Sequence, residues 1–61
     1  MKPTIEVRDD GREKVGTFIN RIRKLANDEG CVVKGTFALE TLTATPGISF
    51  EAVMHQWHAK Q

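Results

Sequence analysis

Six apolar residues draw one stripe along this chain: Val15, Phe18, Ile19, Ile22, Leu25 and Ala26 recur at steps of 3, 1, 3, 3 and 1. That is the 3.6-residue period of a helix with one face in a core. The other side is polar, carrying Lys14, Thr17, Asn20, Arg21, Lys24, Asn27 and Asp28. Gly16 costs such a helix about 1 kcal/mol, and the stripe outweighs it. Gly30 suits a left-handed cap. Acids in the last turn oppose the helix dipole, so fraying is expected from about Asn27.

Whatever covers the stripe must come from little chain. With 61 residues this is one domain, residues 1–61, at the lower size limit for independent folding. Domains this small usually add disulfides, a metal or a partner chain. Cys31 has no second cysteine to bond. Cys31, His55 and His58 make only three ligands for a structural zinc, which wants four. Self-association is what remains, and a homodimer is expected.

The rest of the chain supplies strands and a second helix. Thr4–Arg8 alternates polar and apolar residues, the pattern of a half-buried strand, and Asp9-Asp10-Gly11 stops it. One or both aspartates could cap the helix that follows. Residues 31–43 alternate as well, so strand is the better reading, with Gly35 as a bulge or Lys34-Gly35 as a tight turn splitting the run. The competing reading is a short helix over Phe37–Thr43 capped by Thr36. Thr45-Pro46-Gly47 breaks the chain. Ser49 then caps a second helix, with Ile48 and Val53 placed as a hydrophobic staple. Phe50, Val53, Met54 and Trp57 form its buried face, and its end falls near His58 or Ala59.

These elements predict an α+β fold: a small β-α-β(β)-α domain with two helices on one face of a two- or three-stranded sheet. Strand Thr4–Arg8 followed by an amphipathic helix also resembles the opening of ribbon-helix-helix regulators, which pair that strand across a dimer and read DNA with it. The resemblance implies outward residues Thr4, Glu6 and Arg8. It stops at Gly30, where a second helix should begin and Cys31–Thr36 reads as strand. Phe37 to Trp57 resembles a helix-turn-helix around Pro46-Gly47-Ile48-Ser49, which implies a mostly helical alternative.

No apolar run approaches the roughly 20 residues that cross a bilayer. Met1-Lys2-Pro3-Thr4 leads into no apolar segment, so no signal peptide is expected. With a lone cysteine this favours a cytoplasmic protein and no membrane partner. Net charge is +1, which by itself selects no partner. Charge is uneven, however: residues 1–34 hold eight of nine basic residues and six of eight acids. The candidate nucleic-acid-binding set is Lys14, Asn20, Arg21, Arg23 and Lys24 on the first helix, because cations with small polar donors along one face suit a phosphate backbone. Ordinary solvation of a helix face accounts for the same residues.

No catalytic residues are expected. Cys31 reads as a small buried hydrophobe, and Asp9, Asp10 and Glu13 as acids favoured at a helix start. Glu51, His55 and His58 share a flank of the last helix at steps of four and three, which reads as a surface pair with a neighbour and leaves a shared metal open. The five glycines are too scattered for a phosphate loop, so no cofactor is expected. The sequence thus points to a small non-enzymatic binding or regulatory homodimer, contacting DNA or RNA through the first helix. The alternative is a protein–protein adaptor or inhibitor without nucleic-acid binding. A thiol- or metal-dependent enzyme ranks below both.

Overall fold

A helix and a strand alternate before a hairpin and a final helix: β1 (Ile5–Arg8), α1 (Val15–Glu29), β2 (Val33–Phe37), β3 (Glu40–Ala44) and α2 (Phe50–Ala59). The computed structural model describes residues 3–61. Met1 and Lys2, part of the stretch read as lacking a signal peptide, lie outside them. The sheet order is β1-β2-β3. β1 runs parallel to β2, pairing Ile5 with Val33 and Arg8 with Thr36. β3 runs antiparallel to β2, pairing Val33 with Ala44 and Phe37 with Glu40. Parallel neighbours need a crossover, and α1 is that crossover.

The α+β architecture is therefore the expected one, with three strands. Residues 36–43 form a hairpin, not the helix Phe37–Thr43, and this removes both the ribbon-helix-helix and the helix-turn-helix arrangements. The turn is at Ala38-Leu39, not at Lys34-Gly35. Gly35 is not a bulge either. It sits in register in the central strand, opposite Val7 and Leu42. The reason for glycine is α1: a Cβ there would lie 2.6 and 2.7 Å from the Phe18 ring and 3.0 Å from Ile22. The helix rests directly on the strand backbone.

Alternation puts Val33, Gly35, Leu42 and Ala44 on the covered face, where they join Phe18, Ile19, Ile22, Ala26 and Val53 in the core. Phe18, Ile19, Ile22, Val33, Leu42 and Val53 have no exposed surface. Burying one such side chain fully is worth about 1.5–3 kcal/mol. Phe37 links the two helices, tilted against Phe18 at 5.5 Å and edge-on to Trp57 at 5.3 Å. Phe50, Met54 and Trp57 pack partly buried around this centre. The Cα radius of gyration, 10.6 Å, matches the roughly 10.5 Å of a compact domain of this length. The Phe18, Ile19, Ile22 and Ala26 part of the α1 stripe is thus covered within one chain, with Val15 and Leu25 half-buried at its border.

Caps hold the element ends. Gly30 takes the left-handed conformation, φ 65°, and its N–H donates to Ala26. The helix runs to Glu29 despite its terminal acids, two residues beyond the Asn27 at which fraying was expected. Asn27 Oδ1 accepts a bond from the Gly47 N–H at 2.7 Å, which ties this helix end to the loop before α2. Ser49 caps α2, accepting from Ala52 N–H at 3.1 Å. At the start of α1 the cap position is Lys14, with no side-chain bond. Asp9 and Asp10 instead fold the preceding loop: Asp9 accepts from Gly11, and Asp10 from Arg12 and Glu13. No helix among the described residues is long and apolar enough to cross a membrane.

Candidate functional site

Five residues of α1 and its cap were candidates for nucleic-acid contact, and the fold uses most of them itself. Arg21 Nη2 donates to the Arg8 carbonyl at 2.8 Å. The same nitrogen lies 2.8 Å from Glu13 Oε1 in an ion pair without hydrogen-bond geometry. Its guanidinium stands 5.2 Å over the Phe18 ring, a stacking arrangement favourable to a cation. Arg23 Nε donates to the Ile48 carbonyl at 3.0 Å, and its Nη1 to Asn20 Oδ1 at 3.1 Å. So Arg21 fastens α1 to β1, while Arg23, oriented by Asn20, fastens α1 to the loop before α2. Lys14 and Lys24 are exposed, but ten residues of helix set them about 15 Å apart.

With both helices on one side, no layer of the described residues covers the other face of the sheet. It presents Glu6 and Arg8 from β1, Lys34 and Thr36 from β2, and Thr41 and Thr43 from β3. At the hairpin end of this face an open cleft of about 400 Å³ is lined by Arg8, Asp9, Thr36, Ala38 and Leu39. The turn beside it has the two left-handed residues of a type I′ connection: Ala38 at φ 50° and Leu39 at φ 69°. Type I′ turns favour Asn-Gly because each central residue has positive φ. Leu39 is 95 % exposed, the one large apolar side chain so placed among the described residues. Sequence reasoning missed this site, since Phe37-Ala38-Leu39-Glu40 contains no turn-forming residue.

The two sheet edges differ. In β3 the amide of Gln56, from α2, takes both backbone groups of Thr43: Oε1 accepts its N–H and Nε2 donates to its carbonyl, each at 2.9 Å. That side chain occupies the place of a neighbouring strand. On β1 no side chain of the described residues takes both backbone groups of one residue in this way. Ile5 and Asp9 donate to Val32 and Thr36 of the β2 side, so by the two-residue repeat Glu6 and Arg8 turn their backbone groups outward. Of these, only the Arg8 carbonyl accepts a bond among the described residues, the one from Arg21.

The remaining reactive side chains are scattered. Cys31 is buried at 6 % exposure, as a small apolar residue would be. Glu51, His55 and His58 are exposed on α2, and no bond joins Glu51 to His55 among the described residues. No group of three or more His, Cys, Asp or Glu side chains gathers there for a metal. The Asp10 carboxyl is held below its ordinary value by the Arg12 N–H and then the Glu13 N–H, which favour the charged acceptor. No family model matches this chain, and no curated protein or solved structure matches it either.

Proposed function

We propose that this chain is a small non-enzymatic binding protein that engages another protein through the Ala38-Leu39 hairpin tip and the cleft beside it. The observation that carries this reading is an exposed apolar pair at a turn that asparagine and glycine would fill without strain. A left-handed conformation costs a non-glycine residue on the order of 1 kcal/mol, and two adjacent residues adopt it. An exposed leucine alone means little. Pairing of β2 with β3 offsets the turn's strain, but it gives no reason for a leucine there in place of Asn-Gly, and that unexplained exposed side chain supports a contact outside the molecule. Arg8 and Asp9 flank the tip with opposite charges, which can orient a partner.

The nucleic-acid reading is weaker on this geometry, because Arg21, Arg23 and Asn20 are committed to internal bonds and acids adjoin them. Catalysis has no support in an assembled nucleophile and base.

The test is retention of a partner from nuclease-treated extract of the native cells by three forms of the protein. Wild type and Lys14→Gln/Lys24→Gln are expected to retain the same protein in stoichiometric amount. Ala38→Asn/Leu39→Gly, which keeps the turn and removes the leucine, is expected to lose it. Retention that disappears with nuclease treatment, or survives the turn variant, overturns the proposal.

A further inference from the structure

We infer that the bare edge of β1 is a self-pairing surface: a second copy of this chain adds its own β1 antiparallel across a two-fold axis at Val7. This interface is separate from the hairpin tip, so either proposal can fail without the other.

The two sheet edges differ in how much of their backbone is already taken. Gln56 closes β3 at Thr43, whereas Glu6 offers an outward N–H and carbonyl and Arg8 an outward N–H. The Arg8 carbonyl already accepts from Arg21, yet a carbonyl oxygen has a second lone pair. An unpaired strand edge is a template for another chain.

Charge and alternation then select the occupant and its register. Residues directly opposite in an antiparallel pair lie on the same face of the sheet. Centring the pair on Glu6 would oppose two carboxylates, and centring it on Arg8 two guanidiniums. Centring it on Val7 sets Glu6 opposite the partner's Arg8 and Arg8 opposite the partner's Glu6. Like charges placed opposite destabilise a pair, and unlike charges stabilise it. A strand edge guarded against pairing carries charge that repels its own copy. This one carries one charge of each sign, two residues apart, and complements itself.

The backbone agrees with that register. Glu6 and the partner's Arg8 would exchange N–H to carbonyl bonds, with their outward groups facing each other. Val7, whose backbone groups turn toward β2, would meet its copy as a non-hydrogen-bonded pair about 4.5 Å apart at Cα. On the covered side the partly buried Ile5 and Val7 border this edge and would lose further exposure. The product is a six-stranded sheet, β3-β2-β1-β1-β2-β3, with each outer edge held by Gln56.

The test joins sedimentation with cross-linking on the full chain. Wild type is expected to dimerise reversibly with concentration. Glu6→Arg and Arg8→Glu should each weaken the dimer at least about tenfold, since each turns both cross-axis pairs repulsive. The exchange Glu6→Arg/Arg8→Glu should restore it to within about twofold. Under mild oxidation Val7→Cys should cross-link rapidly, because the Val7 spacing suits a disulfide, and Lys34→Cys, set back on β2, should not. Wild type that stays monomeric to millimolar concentration overturns the inference. So does an exchange that fails to restore pairing in protein with native circular dichroism, and that result is independent of how the cysteine variant folds.

Discussion

Replacing Gly35 with alanine tests the contact on which the fold is built. The substitution adds one methyl group in a strand whose backbone alanine adopts without strain, so in open space it would stabilise the protein by about 0.4–1 kcal/mol. The space is not open. The new Cβ would come 2.6 Å from Phe18 Cζ, 2.7 Å from Cε2 and 3.0 Å from Ile22 Cγ2. Ordinary contact begins near 3.4 Å, so the ring or the strand must move by about 0.8 Å. The ring has no exposed surface to move into, and it abuts Phe37. The strand is central, with ladders on both sides. Overpacking of this kind costs about 1–3 kcal/mol, and it exceeds the alanine gain. A net loss of about 1–2 kcal/mol lowers Tm by roughly 5–15 °C in a domain this small. The assay is thermal unfolding followed by circular dichroism, with a second variant, Gly35→Ala/Phe18→Leu. The smaller side chain makes room, so the double variant should lose less than the sum of the two single changes. If Gly35→Ala raises Tm, or the two effects simply add, the close approach of α1 to β2 is not what requires glycine here.

Three further outcomes follow from individual contacts. Ala38→Asn/Leu39→Gly relieves the left-handed turn and is expected to raise stability by about 1–2 kcal/mol in denaturant titration, and no change would mean the turn stores no strain. Gln56→Ala strips Thr43 of both edge bonds, and a loss of about 1–2 kcal/mol with faster exchange of the Thr43 amide proton is expected. An unchanged exchange rate would place no weight on that bond. Asp10 has a folded-state pKa below its ordinary 3.8. Its contribution is therefore present above that pH and is lost as pH falls through the lowered value. Asp10→Asn removes this titration, so its stability should fall less steeply below pH 3.8 than wild type's. Parallel curves would refute the loop bonds as the cause.

The helices were legible because their signals are local and redundant. The stripe from Val15 to Ala26 and the Ser49 cap each state a period or a boundary within a few residues. Residues 36–43 were ambiguous for the opposite reason. Their turn depends on conformations that neither Ala38 nor Leu39 favours, so tertiary pairing with β2 overrides local preference. Gly35 misled for a related reason: its absent side chain answers to Phe18, seventeen residues earlier, and no neighbour in sequence reveals that. The basic face shows the limit for function. Composition presents Arg21 and Arg23 as free charges, and only the fold reveals the carbonyls of Arg8 and Ile48 that engage them.

The Gln56 amide has one more consequence, for how far this chain can assemble. Two copies joined at β1, as inferred above, would turn outward two β3 edges whose Thr43 backbone groups are already taken by Gln56. If α2 detaches, the Gln56 bonds leave with it, and each molecule then owns two unlike strand edges, each with free N–H and carbonyl groups. Contacts between unlike edges do not close on themselves and grow as fibres. On that inference the last helix would restrain growth at β3 as well as cover the core.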